Sequence, residues 1–263
     1  MSKSRNPRRA LPYGDGESQS GDLWLPDVDS PPVACLLHGG FWRMPYARDQ
    51  LDDVAGDLAA RGFAVWNLGY RRVGEEGLFE VDEAWLPRVA AQLGPRLIVL
   101  GNLFRDQLDR YGEVDTVAAL WREGLAVAPR DATLVLNADA PSVAELADGW
   151  PGPVHFFGID DASLAAGETG AFDARWCRAC GGSFEYDVQF FAHIGHWRCG
   201  GCGRKRPTPA TTATAITLSL DASRFAVEGL GTVELPLPGA YNIANALAAI
   251  AAARVLGVPP ADI

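Results

Sequence analysis

Residues 176–206 read WCRACGGSFEYDVQFFAHIGHWRCGGCGRKR. Cys177, Cys180, Cys199 and Cys202 stand in the pattern C-x2-C-x18-C-x2-C. Two residues between cysteines let both sulfurs reach one ion, and two such knuckles make a tetrahedral thiolate shell suited to Zn²⁺. Gly181, Gly182, Gly200, Gly201 and Gly203 suit knuckle backbone, which often needs positive φ. Stretches 183–191 and 193–198 read as a short hairpin between the knuckles. Four sulfurs complete the shell, so the expected ion is structural rather than catalytic. A disulfide or unrelated thiols are the alternative. His193 and His196 read as surface histidines beside a complete shell. Arg198, Arg204, Lys205 and Arg206 read as a solvated basic edge.

The whole chain has 263 residues and a formal net charge of −10. That length allows one or two domains. The acidic balance argues against a general nucleic-acid or membrane-surface binder. Four of five cysteines fit the metal pattern and Cys35 sits alone in an apolar run, which suits a reducing, cytoplasmic setting. Residues 1–9 are basic without the apolar run of a signal peptide. The longest apolar stretch, 246–258, contains Arg254 and is too short to span a bilayer, so no transmembrane segment is expected. Lysine occurs only at Lys3 and Lys205.

Outside residues 176–206, short apolar runs alternate with helical periodicity. Strands are expected at 22–25, 33–37, 63–68, 96–103, 133–137 and 154–159, and helices at 51–60, 84–93 and 117–126. The first helix and its flanking strands form a β-α-β unit with parallel strands. Residues 1–20 are polar, with only partial order expected. Ser142 is a candidate cap for a short helix ending at Leu146. A Pro/Thr linker at 207–214 leads to a hairpin, 215–220 and 224–230, an edge at 233–235, and a helix over 246–256 ended by Gly257. This order predicts an α/β fold with a parallel sheet. Ligands in such sheets gather at the carboxyl ends of the strands. Polar clusters at Asn102/Asp106, at Asn137/Asp139 and after Ile159 stand there.

Two resemblances follow. YGDGESQSGDLWLP at 13–26, HGGFW at 38–42 and GFAVWNLGYRRVG at 62–74 resemble the α/β-hydrolases, in particular carboxylesterases and arylformamidases, over roughly residues 12–77. The resemblance implies an oxyanion-hole-like turn at Gly39, Gly40 and Phe41, whose backbone N–H groups would face a developing negative charge. The chain contains no G-x-S-x-G nucleophile elbow.

LFEVDEA at 78–84, NLFRDQLDRYGE at 102–113, LVLNADAP at 134–141, the inserted four-cysteine ribbon and GAYNIANALAAIAAA at 239–253 resemble the central ATPase domain of Mur ligases, and among them the MurT-type subunits. The resemblance implies ATP- and Mg²⁺-dependent activation of the D-glutamate α-carboxylate of lipid II as an acyl phosphate. A GatD-type glutaminase subunit would supply ammonia to give D-isoglutamine in peptidoglycan synthesis. By the same resemblance, Glu80 is a Mg²⁺ ligand, Gln107 takes the place of a metal-binding histidine, and Asn102 and Asp106 shape that site. Asn137 and Asp139 line the nucleotide cleft, and Asn242 and Asn245 approach the adenine. Each has a plainer reading. Glu80 and Glu83 could be acids of a helix start, Asp106, Asp109 and Arg110 a solvated loop, and Asn242 a helix cap.

The family's Walker A loop, whose lysine reaches the phosphates, has no counterpart in this sequence. The resemblance also stops short of the family's C-terminal domain. The expected organisation is a hydrolase-like fragment, 1–77, joined near 75–78 to a Mur-type central domain, 78–263, with the ribbon inserted at 175–206. Such a chain is expected to be inactive alone. The competing functions are an α/β-hydrolase and a non-catalytic zinc-ribbon interaction module.

Overall fold

The computed structural model describes residues 8–37, 47–70, 94–103, 114–165 and 176–263. The chain divides into two compact units, Met1–Glu83 and Ala84–Ile263. That division and the expected junction both fall at 71–93, outside the described residues. Gly39, Gly40, Phe41, Glu80, Asp106, Gln107 and the helix expected at 84–93 also lie outside them.

The first unit is a four-stranded sheet with one helix. Its strands are β1 (Arg8–Pro12), β2 (Ser20–Trp24), β3 (Val33–Leu37) and β4 (Ala64–Leu68), in the order β1-β2-β4-β3. Helix α1 (Asp52–Ala60) connects β3 to β4, which pair in parallel as its apolar periodicity implied. Ala55 and Ala59 on α1 pack on Val65, with Trp24, Leu36 and Leu58 at the margin. Gly62, at φ +94, ends the turn after α1, a left-handed position that glycine adopts without a Cβ clash. The Phe63 amide then returns to the Leu58 carbonyl at 3.1 Å.

Strand β1 departs from the expectation for residues 1–20. It pairs antiparallel with β2 from Arg8↔Trp24 to Pro12↔Ser20. Its polar character comes from ion pairing. Arg8 donates to Asp22 at 2.6 Å and to Asp52 at 2.7 Å, while Arg48 reaches Asp22 at 2.8 Å. Burial pushes the Asp22 carboxyl up, but the hydrogen bonds from Arg48 and Arg8 outweigh it and hold it below its ordinary value.

The second unit carries β5 (Leu97–Leu100), α2 (Val114–Val127), β6 (Thr133–Asn137), α3 (Pro141–Ala144) and β7 (Val154–Ile159). The hairpin β8 (Phe184–Phe191) and β9 (Ile194–Cys199) follows, then β10 (Thr211–Leu218), β11 (Ser223–Val227), β12 (Gly231–Leu235) and α4 (Ala240–Val255). The six-stranded sheet has the order β12-β11-β10-β7-β6-β5. Strands β5, β6, β7 and β10 are parallel, and β10, β11 and β12 are antiparallel. Leu134, Leu136, Phe157, Ile159 and Ala213 from the sheet share one core with Ile243, Leu247, Ile250 and Ala251 of α4. The near-continuous apolar run Leu134–Leu136 suits a central parallel strand covered on both faces.

Three expectations are corrected here. The stretch expected as a linker is shorter, because Thr211–Ala213 pair in parallel with Phe157–Ile159. β-branched threonines fit that pleated position. Helix α4 begins at Ala240 rather than 246, behind an N-cap Gly239 at φ +100. Ile243 belongs to the same buried stripe as Leu247 and Ile250, and that stripe draws the first turns into the helix. Ser142 is no cap. Ala140 holds the N-cap position without a side-chain bond, Pro141 opens the helix, and Ser142 is buried inside it.

Candidate functional site

The four cysteines converge. Their sulfurs all lie within 4.8 Å of one another, with Cys177–Cys202 at 3.8 Å and Cys180–Cys199 at 3.4 Å. A tetrahedral ion with metal–sulfur bonds of about 2.3 Å separates its sulfurs by about 3.8 Å. The cluster therefore fits one metal ion and no disulfide spans it. Backbone amides reach two of the sulfurs. Gly182 N–H donates to Cys180 Sγ at 3.3 Å and Gly201 N–H to Cys199 Sγ at 3.4 Å. The Cys202 amide, followed by that of Gly201, holds the Cys199 thiol down at about 7. At Cys180 the Gly182 amide is outweighed by the neighbouring sulfurs, which push that thiol up to about 12, and burial pushes Cys177 up.

Only two of the five knuckle glycines need their conformational freedom. Gly181 and Gly203 take φ +73 and +74 one residue after Cys180 and Cys202. Gly182 and Gly201 serve a different purpose. A Cβ on Gly182 would stand 2.9 Å from Gly201 backbone, so the knuckles meet where neither residue has a side chain.

The ribbon is seated on the sheet by side chains whose partners are distant in sequence. Arg206 Nε donates to Asp139 Oδ1 at 2.6 Å, and its Nη2 donates to the Ile159 carbonyl at 2.8 Å. Trp197 Nε1 donates to the Ala138 carbonyl at 2.9 Å, and Gly195 N–H to the Asp139 carbonyl at 3.0 Å. Arg204 pairs with Asp148 and approaches Glu145 at 3.7 Å. A cleft of about 400 Å³, lined by Arg122, Glu145, Leu146, Asp148, Arg178 and Arg204, runs beside that pair. Burial pushes the Glu145 carboxyl up, and Arg204, Arg178 and Arg122 oppose it. All three arginines of the basic edge are paired, since Arg198 meets Glu185 and Asp187 on the hairpin. His193 is fully buried, and His196 reaches the Ile159 carbonyl at 2.9 Å, so neither is the surface histidine expected. Arg206, Trp197 and Gly195 were the residues that sequence reasoning missed as ribbon contacts. The only signal was the position of Arg206 just beyond the second knuckle, which equally suits a solvated charge.

Asn102, Asn137 and Asp139 come together at the carboxyl ends of β5 and β6. Asn137 Oδ1 accepts from the Asp139 amide at 2.9 Å, and Asn137 Nδ2 donates to Asn102 Oδ1 at 2.6 Å. Asp139 is fully buried, and its Oδ2 accepts from the Ile159 amide at 2.6 Å. Burial pushes its carboxyl up, while Arg206 and the Ile159 amide oppose that shift. Its carboxylate therefore faces the ribbon and β7. Asn242 and Asn245 stand on the first turns of α4. Asn242 Nδ2 donates to the Pro238 carbonyl at 2.8 Å, whereas Asn245 is exposed.

Among known proteins, the chain is 37% identical over 185 residues to the MurT subunit of lipid II isoglutaminyl synthase (glutamine-hydrolyzing) of Streptococcus pneumoniae, covering 68% of this chain and 40% of that protein. The solved pseudomurein peptide ligase type C of Methanothermus fervidus is similar with a TM-score of 0.59 and 25% identity, over 87% of this chain and 47% of that one. Kynurenine formamidase of Danio rerio is 34% identical over 62 residues, 23% of this chain and 21% of that protein. No family model matches. The chain spans 40% of the length of the MurT relatives it matches. Over the residues matched, the chain is similar to Mur ligases in sequence and in fold. Among the described residues, no helix is long and apolar enough to cross a membrane.

Proposed function

We propose that this chain is the nucleotide-binding part of a MurT-like ligase, which uses ATP and Mg²⁺ to activate the D-glutamate α-carboxylate of lipid II for amidation. Ammonia would come from a GatD-type glutaminase partner in the cytoplasm. The similarity to MurT is the observation that carries this reading. The gathering of Asn102 and Asn137 at the carboxyl ends of parallel strands is consistent with it, because ligands of open parallel sheets bind there. The four thiolates would hold a structural Zn²⁺, whose closed shell leaves no position for substrate. Glu80, Asp106 and Gln107 would complete the Mg²⁺ end, with Asn242 and Asn245 near the base. Without a Walker A lysine, phosphate contacts fall to amide and asparagine donors, so ATP binding is expected to be weak. ADP release by this chain alone is expected to be absent. Photolabelling the whole chain with an azido-ATP, in competition with Mg-ATP, tests the reading. Label at 101–103, 137 or 242–245 is expected. Label confined to other positions, or insensitive to ATP, sinks it.

A second reading rests on the kynurenine formamidase likeness and on the HGGFW sequence at 38–42. Here the first unit would act as an ester or formamide hydrolase. Covalent labelling by a fluorophosphonate would favour it, and the missing nucleophile elbow argues that none will occur.

A further inference from the structure

The ribbon and the asparagine pair are joined by one unbroken line of hydrogen bonds. Arg206 stands four residues beyond Cys202, the last thiolate, and its guanidinium holds the buried Asp139 carboxylate at 2.6 Å. Strand β9 grips the same dipeptide from above, through Trp197 to Ala138 and Gly195 to Asp139. The Asp139 amide then donates to Asn137 Oδ1. That bond orients the Asn137 amide group, leaving its Nδ2 to donate to Asn102 Oδ1. The Asn102 oxygen is thereby engaged, and its Nδ2 has no partner among the described residues at the carboxyl end of β5.

We propose that Arg206 is a positioning residue: it couples metal occupancy of the four-cysteine cluster to the orientation of the Asn137–Asn102 pair, which presents the Asn102 Nδ2 donor to an anionic oxygen of the ligand. This inference rests on the nucleotide reading for its ligand, but its coupling is independent of it. The physical reason is geometric. An amide side chain with one oxygen and one nitrogen has two orientations, related by a flip, that place donor and acceptor oppositely. Here the peptide of Asp139 selects one of them. Asp139 is itself held by the ribbon. Arg206 is held by the second knuckle, which leads to it from Cys202, and by its own amide, which donates to the Trp197 carbonyl at 2.9 Å. Loss of the metal removes the first hold, and a buried carboxylate whose cation loosens must move or take a proton.

The test uses the whole chain and follows the side-chain amide signals of Asn137 and Asn102 by NMR, with metal content measured in parallel. Metal removal by a chelator, and Arg206→Ala with metal retained, are each expected to speed exchange of the buried Asn137 amide protons by about tenfold, as loss of one ordered hydrogen bond implies. Arg206→Lys is expected to restore part of the protection. Arg204→Ala, which loosens the ribbon at Asp148 instead, is expected to leave the Asn137 signals in place. Unchanged Asn137 signals after chelation would overturn the coupling, even if Arg206→Ala failed to fold. Equal loosening by Arg204→Ala would show a general loss of packing and overturn the role of Arg206. A Mg-ATP titration on the same samples separates the two claims: absent binding with a responsive Asn137 removes the nucleotide and leaves the coupling.

Discussion

The six-stranded sheet and the ribbon reach order by opposite routes. The sheet buries long apolar side chains, Phe157, Leu134, Leu136 and Ile159, against Ile243 and Leu247 of α4. Its register follows from which face must leave water. The ribbon has little apolar packing of its own: Phe184 packs edge-on against Trp197, Phe190 and Ile194 of its hairpin are buried in the core of the sheet, and four thiols come within 4.8 Å. About thirty residues with so little core need a staple. The sheet should therefore tolerate loss of the metal, and the ribbon should not.

Cys199→Ser breaks the comparison most sharply. Metal binding supplies on the order of 10 kcal/mol to a small four-ligand module. The variant is expected to lose its metal and the near-ultraviolet signal of Trp197, while the far-ultraviolet helix signal of α4 and α2 persists. Parallel loss of both signals would mean that the sheet depends on the ribbon. Arg206→Ala comes next. It leaves the Asp139 carboxylate buried without its cation, a change that costs about 3–5 kcal/mol in comparable pairs. Denaturant unfolding of the metal-loaded protein measures it, and a cycle with Asp139→Asn separates the pair from the packing.

The first unit offers ion pairs to the buried Asp22, with no metal-ligand cluster among its described residues. Arg48 and Arg8 hold the folded Asp22 carboxyl below its ordinary 3.8. A carboxyl lowered on folding contributes stability above its unfolded value and loses it as pH falls through the folded one. Unfolding monitored by Trp24 and Trp66 fluorescence is expected to show stability declining below pH 3.8, and Arg48→Ala is expected to flatten that limb. The smallest effect is expected at the ribbon turn. Ala192 sits at φ +44, where an L-residue pays about 1 kcal/mol that glycine avoids. Ala192→Gly should raise the unfolding midpoint of the metal-loaded ribbon slightly.

Much of this architecture was legible in the sequence because its signals are local. The knuckle spacing named all four thiols, and the apolar runs at 33–37, 133–137 and 154–159 coincide with strands β3, β6 and β7. What failed was long-range. Strand β1 looked like a polar tail because Arg8 finds Asp22 and Asp52 only after folding. Arg204 and Arg206 looked solvated because Asp148 and Asp139 lie 56 and 67 positions away. The start of α4 was placed late because Asn242 and Asn245 interrupt the apolar pattern, although Ile243 keeps the buried stripe. For the site, the placement of Asn102 and Asn137 at strand ends followed from the parallel sheet, but their mutual hydrogen bond did not. The engagement of Asp139 by the ribbon did not, since a carboxylate after a strand reads equally as ligand or anchor.

The central claim is that the carboxyl end of this sheet takes a nucleotide. Calorimetric titration of Mg-ATP into the whole, metal-loaded chain tests it most directly. The account predicts one weak, saturable site per chain, weakened about fivefold by Asn102→Ala, the loss expected for one hydrogen bond of about 1 kcal/mol. Absence of saturable heat in the wild-type chain would contradict it.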